Sequence, residues 1–215
     1  MKRWIVIGDI HGCYQELDDL LSKAEAAPDD SIISVGDLIC RGPSSSKVLD
    51  KVMSLSNFKM VLGNHELRFL RYWRQGKIPQ EKSYDLATVW EMSDRFNDYM
   101  KFLDRQPFYL EFPNFIVIHG GLRPEVTLPQ QTPDDLTNLR EVGDEKKPWY
   151  QFYQGPKPVI FGHWVRQRPL MIKNVIGLDT GCVYGGNLSA CIFPDQKIIS
   201  VPARKIYRER AKSWA

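Results

Sequence analysis

Histidine is scarce in this chain and is not scattered at random. The 215 residues contain four, His11, His65, His119 and His163, and each has a glycine beside it or two positions before it. Carboxylates and an amide share that setting, in Gly8-Asp9-Ile10-His11-Gly12, Gly36-Asp37-Leu38-Ile39-Cys40-Arg41-Gly42 and Gly63-Asn64-His65-Glu66. Two further pieces follow, Val117-Ile118-His119-Gly120-Gly121 and Phe161-Gly162-His163-Trp164. Oxygen and imidazole donors without thiolate suit a catalytic cation such as Mn²⁺, Fe or Zn²⁺ rather than a structural zinc. The donors outnumber what one open site needs, and two cations sharing a bridging carboxylate would use them all.

Positioning these groups requires strand ends. Arg3–Gly8, Ser31–Val35 and Lys59–Leu62 read as short buried strands, each running into one of the first three pieces. Between them, Cys13–Ala26 and Ser44–Leu55 carry apolar residues at helical spacing, and Leu67–Gln75 begins a third helix. Pro43 and the serines after it can cap the second helix. Strand and helix in alternation imply a parallel sheet with helices on its faces, and α/β folds place ligands at the carboxyl edge of such sheets. Asp9 and His11 stand two apart, so in extended backbone both would project to one side.

Beyond Phe108 the pattern becomes β-rich, with strands expected over Phe115–Ile118, Pro158–Phe161, Val175–Leu178, Leu188–Ile192 and Lys197–Val201, forming a second sheet packed on the first. Between the halves, 82–106 reads as a small helical cap with Trp90, Phe96, Tyr99, Phe102 and Leu103 as its apolar stripe. Residues 122–157 are rich in Pro, Gln and Asp and read as a long surface loop with a short helix. The whole of 1–215 is expected to be one domain.

Composition excludes several classes. With 43% hydrophobic residues the chain can bury a core, and a net charge of +3 is too weak by itself to imply nucleic acid. No apolar run approaches the roughly 20 residues of a membrane span, and the one near Met1 is too short for a signal peptide. Cys13, Cys40, Cys182 and Cys191 lack metal-knuckle spacing and read as reduced thiols of a cytoplasmic protein.

Taken together, Gly-Asp-x-His-Gly, Gly-Asp-x-x-x-Arg-Gly, Gly-Asn-His-Glu, His-Gly-Gly and Gly-His resemble the phosphoprotein phosphatase type of calcineurin-like metallophosphoesterase, over residues 5 to about 207. Arg41-Gly42-Pro43, Phe161-Gly162-His163-Trp164 and the run from Gly177 to Leu188 are similar to the ApaH-like, symmetrical diadenosine tetraphosphatase branch. The resemblance implies an α/β fold of two mixed sheets packed as a sandwich, flanked by helices, with a small helical cap. It implies two divalent ions, Mn²⁺ first, with Fe, Zn²⁺, Co²⁺ or Ni²⁺ as alternatives. Asp9, His11 and Asp37 would hold one. Asp37, Asn64, His119 and His163 would hold the other. His65 would serve proton transfer to the leaving oxygen, and Arg41 would bind phosphate with a second arginine, Arg140 by position or else Arg123.

The implied activity is hydrolysis of phosphate esters or anhydrides, in which a hydroxide bridging the metals attacks phosphorus directly. Dinucleoside polyphosphates or related nucleotide and cap pyrophosphates are the first substrate reading. A protein Ser/Thr or Tyr phosphatase is the alternative, and a non-catalytic phosphate-binding scaffold a remote one. Protein Ser/Thr phosphatases carry an aspartate where this chain has Cys40, which points away from them, whereas Glu66 points toward them. The base- and aromatic-rich strip Arg68–Lys77, Tyr184 and Trp164 are candidate surfaces for a purine or an RNA 5′ end. An amphipathic helix with a basic solvated face fits the strip better. The basic tail 204–215 reads as a frayed terminal helix.

Overall fold

The computed structural model describes residues 3–210. Among the described residues twelve strands form, β1 (Trp4–Ile7), β2 (Ser31–Ser34), β3 (Phe58–Met60), β4 (Tyr109–Glu111), β5 (Ile116–Ile118), β6 (Glu141–Val142), β7 (Lys147–Pro148), β8 (Val159–Phe161), β9 (Leu170–Ile172), β10 (Val175–Gly177), β11 (Asn187–Phe193) and β12 (Lys197–Pro202). The helices are α1 (Tyr14–Lys23), α2 (Ser45–Ser54), α3 (Asn64–Trp73), α4 (Asp85–Met92), α5 (Phe96–Leu103) and α6 (Pro133–Asn138). One sheet runs β12-β11-β1-β2-β3 and the other β4-β5-β8-β10-β9, with β6 and β7 a separate ribbon. Strands β1, β2 and β3 are parallel, so the three motif-bearing loops share one edge.

The alternation of side chains along a strand decides the layers. Ile5, Ile7 and Ile32 face the helices, in a core with Leu17, Leu20, Val48, Leu49, Phe69 and Leu70. Val6 and Ile33 face the other way, against Phe115, Val117, Ile160 and Ile176 of the second sheet. The outer face of that sheet is covered by Leu136 and Trp149. Buried on both faces, β2 contains Ile32 and Ile33 in succession, as a central parallel strand should.

Several expectations need correction. β11 and β12 do not join the second sheet: β11 lies antiparallel to β1, pairing Trp4 with Phe193 and Ile7 with Ala190. The hairpin is apolar on both faces and closes the open side of β1, sending Cys191 and Phe193 between the sheets and Ala190 and Ile192 toward the helices. Helix α3 begins at Asn64, three residues before the expected start, so Asn64 and His65 occupy its first turn. Ser44 stands at the start of α2 without a capping side-chain bond, and Ser45 Oγ instead accepts the Cys40 N–H at 3.1 Å.

The 82–106 segment forms α4, a short 3-10 turn and α5, which pack on α2 and α3 through Met92, Tyr99, Met100 and Leu103. Trp90 is 75% exposed and no part of that stripe. The 122–157 stretch contains α6 as the short helix, and also the β6–β7 ribbon, whose strands are too short to leave a sequence pattern. From Arg204 to Arg210 there is no helix, and the rest of the expected tail helix lies outside the described residues. Among the described residues no helix is long and apolar enough to cross a membrane.

Phe115 is the keystone between the sheets, fully buried, with ring centroids 4.4 Å from Phe193, 4.7 Å from Phe112 and 5.8 Å from Trp4. Phe115→Ala is expected to cost about 3–5 kcal/mol, since neighbours held by two sheets relax little into the void. A urea midpoint unchanged from wild type would contradict this packing.

Candidate metal and phosphate site

The loops after β1 and β2 are zipped together by their backbones. Ile10 and His11 donate N–H bonds to the Asp37 carbonyl at 3.1 and 2.8 Å, and Gly12 donates to the Leu38 carbonyl at 2.8 Å. The path is unusual: His11 (φ 47°), Asp37 (53°), Cys40 (73°), Arg41 (69°) and His163 (63°) all lie in the left-handed region. The stretch from Asp9 to His11 is thus turned rather than extended, and His11 reaches the site by curling back over Asp37. Such conformations cost of order 1–3 kcal/mol each and persist only where the surroundings over-determine them.

Glu66 provides much of that determination. Its Oε2 accepts N–H bonds from Asp37 at 2.8 Å and Gly63 at 3.0 Å, and its Oε1 accepts from Leu38 at 2.8 Å and Ile39 at 3.2 Å. Burial and the Asp37 charge push this carboxyl up to about 7, and the four backbone donors oppose that rise by favouring the anion. The contact with Gly63 closes the first turn of α3 in the manner of a capping box, and a Cβ on residue 63 would be forced into the Asp37 carboxylate.

Two groups of donor atoms emerge, each within 4.8 Å of its members: His11, Asp37 and His65, and Asp9, Asp37 and His119. Asp37 belongs to both. Its Oδ2 lies 3.5 Å from His11 Nε2, 3.4 Å from His119 Nε2 and 4.0 Å from His65 Nε2. Asn64 Oδ1 lies 3.1 Å from both His119 Nε2 and His163 Nδ1, and the His163 N–H donates to both Asp9 oxygens at 3.1 Å.

Backbone carbonyls assign the tautomers. His11 Nδ1 faces the Ile39 carbonyl at 3.1 Å, His119 Nδ1 faces that of Val35 at 2.9 Å, and His163 Nε2 faces that of Asn138 at 3.1 Å. With the outer nitrogens of the three rings at carbonyls, their inner nitrogens face Asp37 or Asn64, and Arg41 Nη1 also reaches His11 Nε2 at 2.7 Å. Carboxylate, amide oxygen and imidazole nitrogens crowded in this way are stabilised by positive charge. The electrostatics agree: burial, with Asp179 nearby, pushes Asp9 well above the usual carboxylate range, and His119, though burial opposes its charging, is pushed up to about 9 by Asp37 and Asp9. Burial and Arg41 lower His11 to about 3, leaving its ring neutral and able to ligate. The donor set therefore fits divalent metal, with outer-nitrogen bonds of the kind that orient metal-binding imidazoles.

Above the donors is a cavity of about 300 Å³ lined by Asp37, Arg41, Asn64, Asn138, Arg140, His163 and Val165. Arg41 Nη1 lies 2.7 Å from His11 Nε2, and its guanidinium sits over the Tyr84 and Tyr184 rings at 5.9 and 5.7 Å. Arg140 Nη2 donates to the His163 carbonyl at 3.0 Å. Arg123 lines a different hollow and is tied to Asp135 at 2.6 Å, so the geometry favours Arg140 of the two. Cys40 is buried and its thiol pushed well up, first by desolvation, which removes it as a nucleophile.

Of the possible stacking surfaces, Tyr184 lies under Arg41 and Trp164 under Arg166 at 4.7 Å. The Arg68–Lys77 strip turns Arg68, Phe69 and Leu70 inward, as an amphipathic helix does. Sequence reasoning missed Asp179, which is buried, pushed up to about 6 chiefly by burial, and held by the Gly181 N–H at 3.0 Å. Its signal, a Gly-Leu-Asp after a strand, was present but not distinctive.

The calcineurin-like phosphoesterase family model matches residues 2–193. The chain belongs to that family. An asymmetrical bis(5′-nucleosyl)-tetraphosphatase, PrpE, of Oceanobacillus iheyensis is 28% identical, the match covering 93% of this chain and 92% of the relative. A symmetrical bis(5′-nucleosyl)-tetraphosphatase of Vibrio vulnificus is also 28% identical, over 92% of this chain and 97% of its own. The crystal structure of a candidate diadenosine tetraphosphatase superposes with a TM-score of 0.82 at 33% identity, over 94% of each chain. A protein Ser/Thr phosphatase of Saccharomyces cerevisiae, at 17% identity and a TM-score of 0.60, shares the fold.

A Cβ on residue 162 of this phosphoesterase would be driven into the Asp9 carboxylate. Gly162→Ala is expected to weaken metal affinity by about 10–100-fold, as loss of an orienting contact does, while the far-UV circular dichroism stays unchanged. Full metal content after gel filtration would refute the placement of Asp9.

Proposed function

We propose that the chain is a dinuclear metal hydrolase of phosphoanhydrides, with a dinucleoside polyphosphate such as diadenosine tetraphosphate as its substrate. The observation that carries this reading is the pair of buried donor groups sharing Asp37 beneath a cavity walled by two arginines. The substrate class is supported by the names of relatives that match along nearly their whole length. Asp9, His11 and Asp37 would hold one cation, and Asp37, Asn64, His119 and His163 the other. Two such ions, Mn²⁺ foremost, would supply positive charge for the phosphoryl oxygens and lower the pKa of a bound water toward 7.

The chain's own residues supply the rest. Arg41 and Arg140 face the cavity from different loops, so their guanidinium forks can grip one phosphoryl group from two sides, matching its geometry bidentately. Arg41 is kept in place by Tyr84 and Tyr184. His65, fully buried, directs Nε2 toward Asp37 with its ring 4.9 Å from that of His11, and would from there donate to the leaving oxygen. Water is the direct nucleophile, so no phosphoenzyme forms. Four buried free cysteines support a reducing compartment, the cytoplasm.

The test is turnover of diadenosine tetraphosphate by the purified, Mn²⁺-loaded chain, with products separated by chromatography. Two equivalents of metal per chain and loss of activity on exhaustive chelation are expected. Persistence of turnover without metal would end the reading, and turnover confined to phosphomonoesters would replace it with a phosphatase. His65→Ala is expected to lower kcat by about 10²-fold or more with metal content unchanged. Loss of metal in that variant would make His65 a ligand instead.

A further inference from the structure

The turn that carries Arg41 separates two cavities. Arg41 itself lines the one above the metal donors. Pro43 and Ser44 line a second, of about 420 Å³, whose other walls are the start of α1, the first turn of α2 and the strap from Arg204 to Tyr207. The step between them is short, since the three residues from Arg41 to Ser44 span at most about 11 Å. The Gly12 carbonyl accepts N–H bonds from Tyr14 at 3.0 Å and Ser44 at 3.1 Å, and Gly42 lies against the His11 carbonyl. Residues 11–14 and 41–44 therefore run side by side, leading from the metal donors to the second cavity.

That cavity is lined by cations without anions. Lys47, Arg204 and Lys205 converge on it from two elements, and no carboxylate is in its wall. Asp19 is taken up by Arg204 at 2.8 Å and lies outside the lining. Neither lysine has a carboxylate partner among the described residues. Lys47 also stands in the first turn of α2, which carries no acid, at the helix end where a cation is disfavoured. The strap is anchored from behind while its cations stay free. Glu16, fully buried, accepts the Arg204 N–H at 2.9 Å and the Tyr207 hydroxyl at 2.8 Å. The Val183 carbonyl accepts the N–H groups of Tyr207 and Arg208 at 3.1 and 3.0 Å. Lys205 Nζ rests over the Tyr207 ring, 5.4 Å from its centroid. Positive charge gathered this way in a preformed hollow is relieved by a bound anion.

We propose that this cavity is a second anion subsite, which holds the phosphates of the substrate that lie beyond the one under attack, and that Lys47 and Lys205 are its specificity-determining residues. This rests on the reading of the chain as a dinucleoside polyphosphate hydrolase. A polyphosphate gripped at one phosphoryl group by Arg41 and Arg140 must lead the rest of its chain away from the metals. The hollow beyond the Arg41 turn is within reach and has the charge to receive it. Two lysines suit the task, because a compact ammonium on a flexible stem can follow a chain whose oxygens present no fixed fork. A lone phosphate has nothing to place there. The subsite thus favours long polyphosphates over small phosphate esters without altering the metal donors.

The test uses the full, Mn²⁺-loaded chain and two readouts. One is kcat/KM for diadenosine tetraphosphate, since binding energy from a remote part of a substrate can be expressed in kcat or in KM. The other is the competitive inhibition constant of inorganic phosphate, which reports the metal cavity alone. K47E/K205E is expected to lower kcat/KM by about 100-fold or more, from about tenfold per lysine at the low end for a hydrogen bond to a charged group. The phosphate constant and the metal content should stay as in wild type. Lys47→Glu puts an acid where the helix end favours one, so α2 is not weakened. K47Q/K205Q removes the charges without reversing them and should lose at least about tenfold. K146E/K173E makes the same change in net charge at two exposed lysines outside both cavities, and should retain wild-type values. A loss below about tenfold in either folded variant of Lys47 and Lys205, an equal loss in K146E/K173E, or a phosphate constant that rises in parallel overturns the proposal. Each of those results, obtained beside a wild type that hydrolyses diadenosine tetraphosphate, leaves the functional reading intact. Absence of metal-dependent turnover by wild type defeats that reading first, and this proposal with it.

Discussion

One buried carboxylate organises the site without facing a ligand. Glu66 gathers N–H groups from Asp37, Leu38 and Ile39 on the loop after β2 and from Gly63 at the head of α3. Those four bonds lock together the two segments that present Asp37, Asn64 and His65. The His65 N–H then donates to Asp37 Oδ1 at 3.0 Å, which leaves Oδ2 to face the three imidazoles. An acid in this place does what a neutral amide could not, since Gln has one acceptor oxygen for the same donors and would leave others unpaired in a dry interior.

The remaining constraint is electrostatic. Asp9, Asp37 and Asp179 are all nearly fully buried within one another's influence, and burying like charges is costly unless something positive joins them. The fold accepts that cost, together with five non-glycine residues in the left-handed region, in the loops that follow β1, β2 and β8. It is stable there because the layers beneath are well filled on both faces. Buried like charge concentrated where ligands bind, over a well-filled apolar scaffold, is the usual division between a site and what supports it.

Much of this was legible in the sequence because the site is local. Gly8-Asp9-Ile10-His11, Gly36-Asp37 and Gly63-Asn64-His65 each follow a short apolar run, and a parallel arrangement of those runs brings all three to one edge. The second half was harder. The hairpin of β11 and β12 carries the same apolar pattern as β8 and β10, and nothing in a period of two says which sheet edge a strand will find. The backbone of His11 was misjudged for a related reason: spacing fixes which residues are near, but the turn is set by partners such as the Asp37 carbonyl, 26 positions downstream.

Arg68 shows the limit most clearly. In the sequence it opens a strip of alternating bases and aromatics that looks solvated, and its inward course depends on Asp85, in a different helix, being there to receive it. Long-range ion pairs leave no periodic trace. Yet this pair places a guanidinium 3.4 Å from His65 Nδ1. The cap helix that carries Asp85 also places Tyr84 between His65 and Arg41, with centroid separations of 5.6 and 5.9 Å. A segment whose apolar residues serve packing thus reaches the site through its first turn, where Tyr84 and Asp85 touch His65, Arg41 and Arg68.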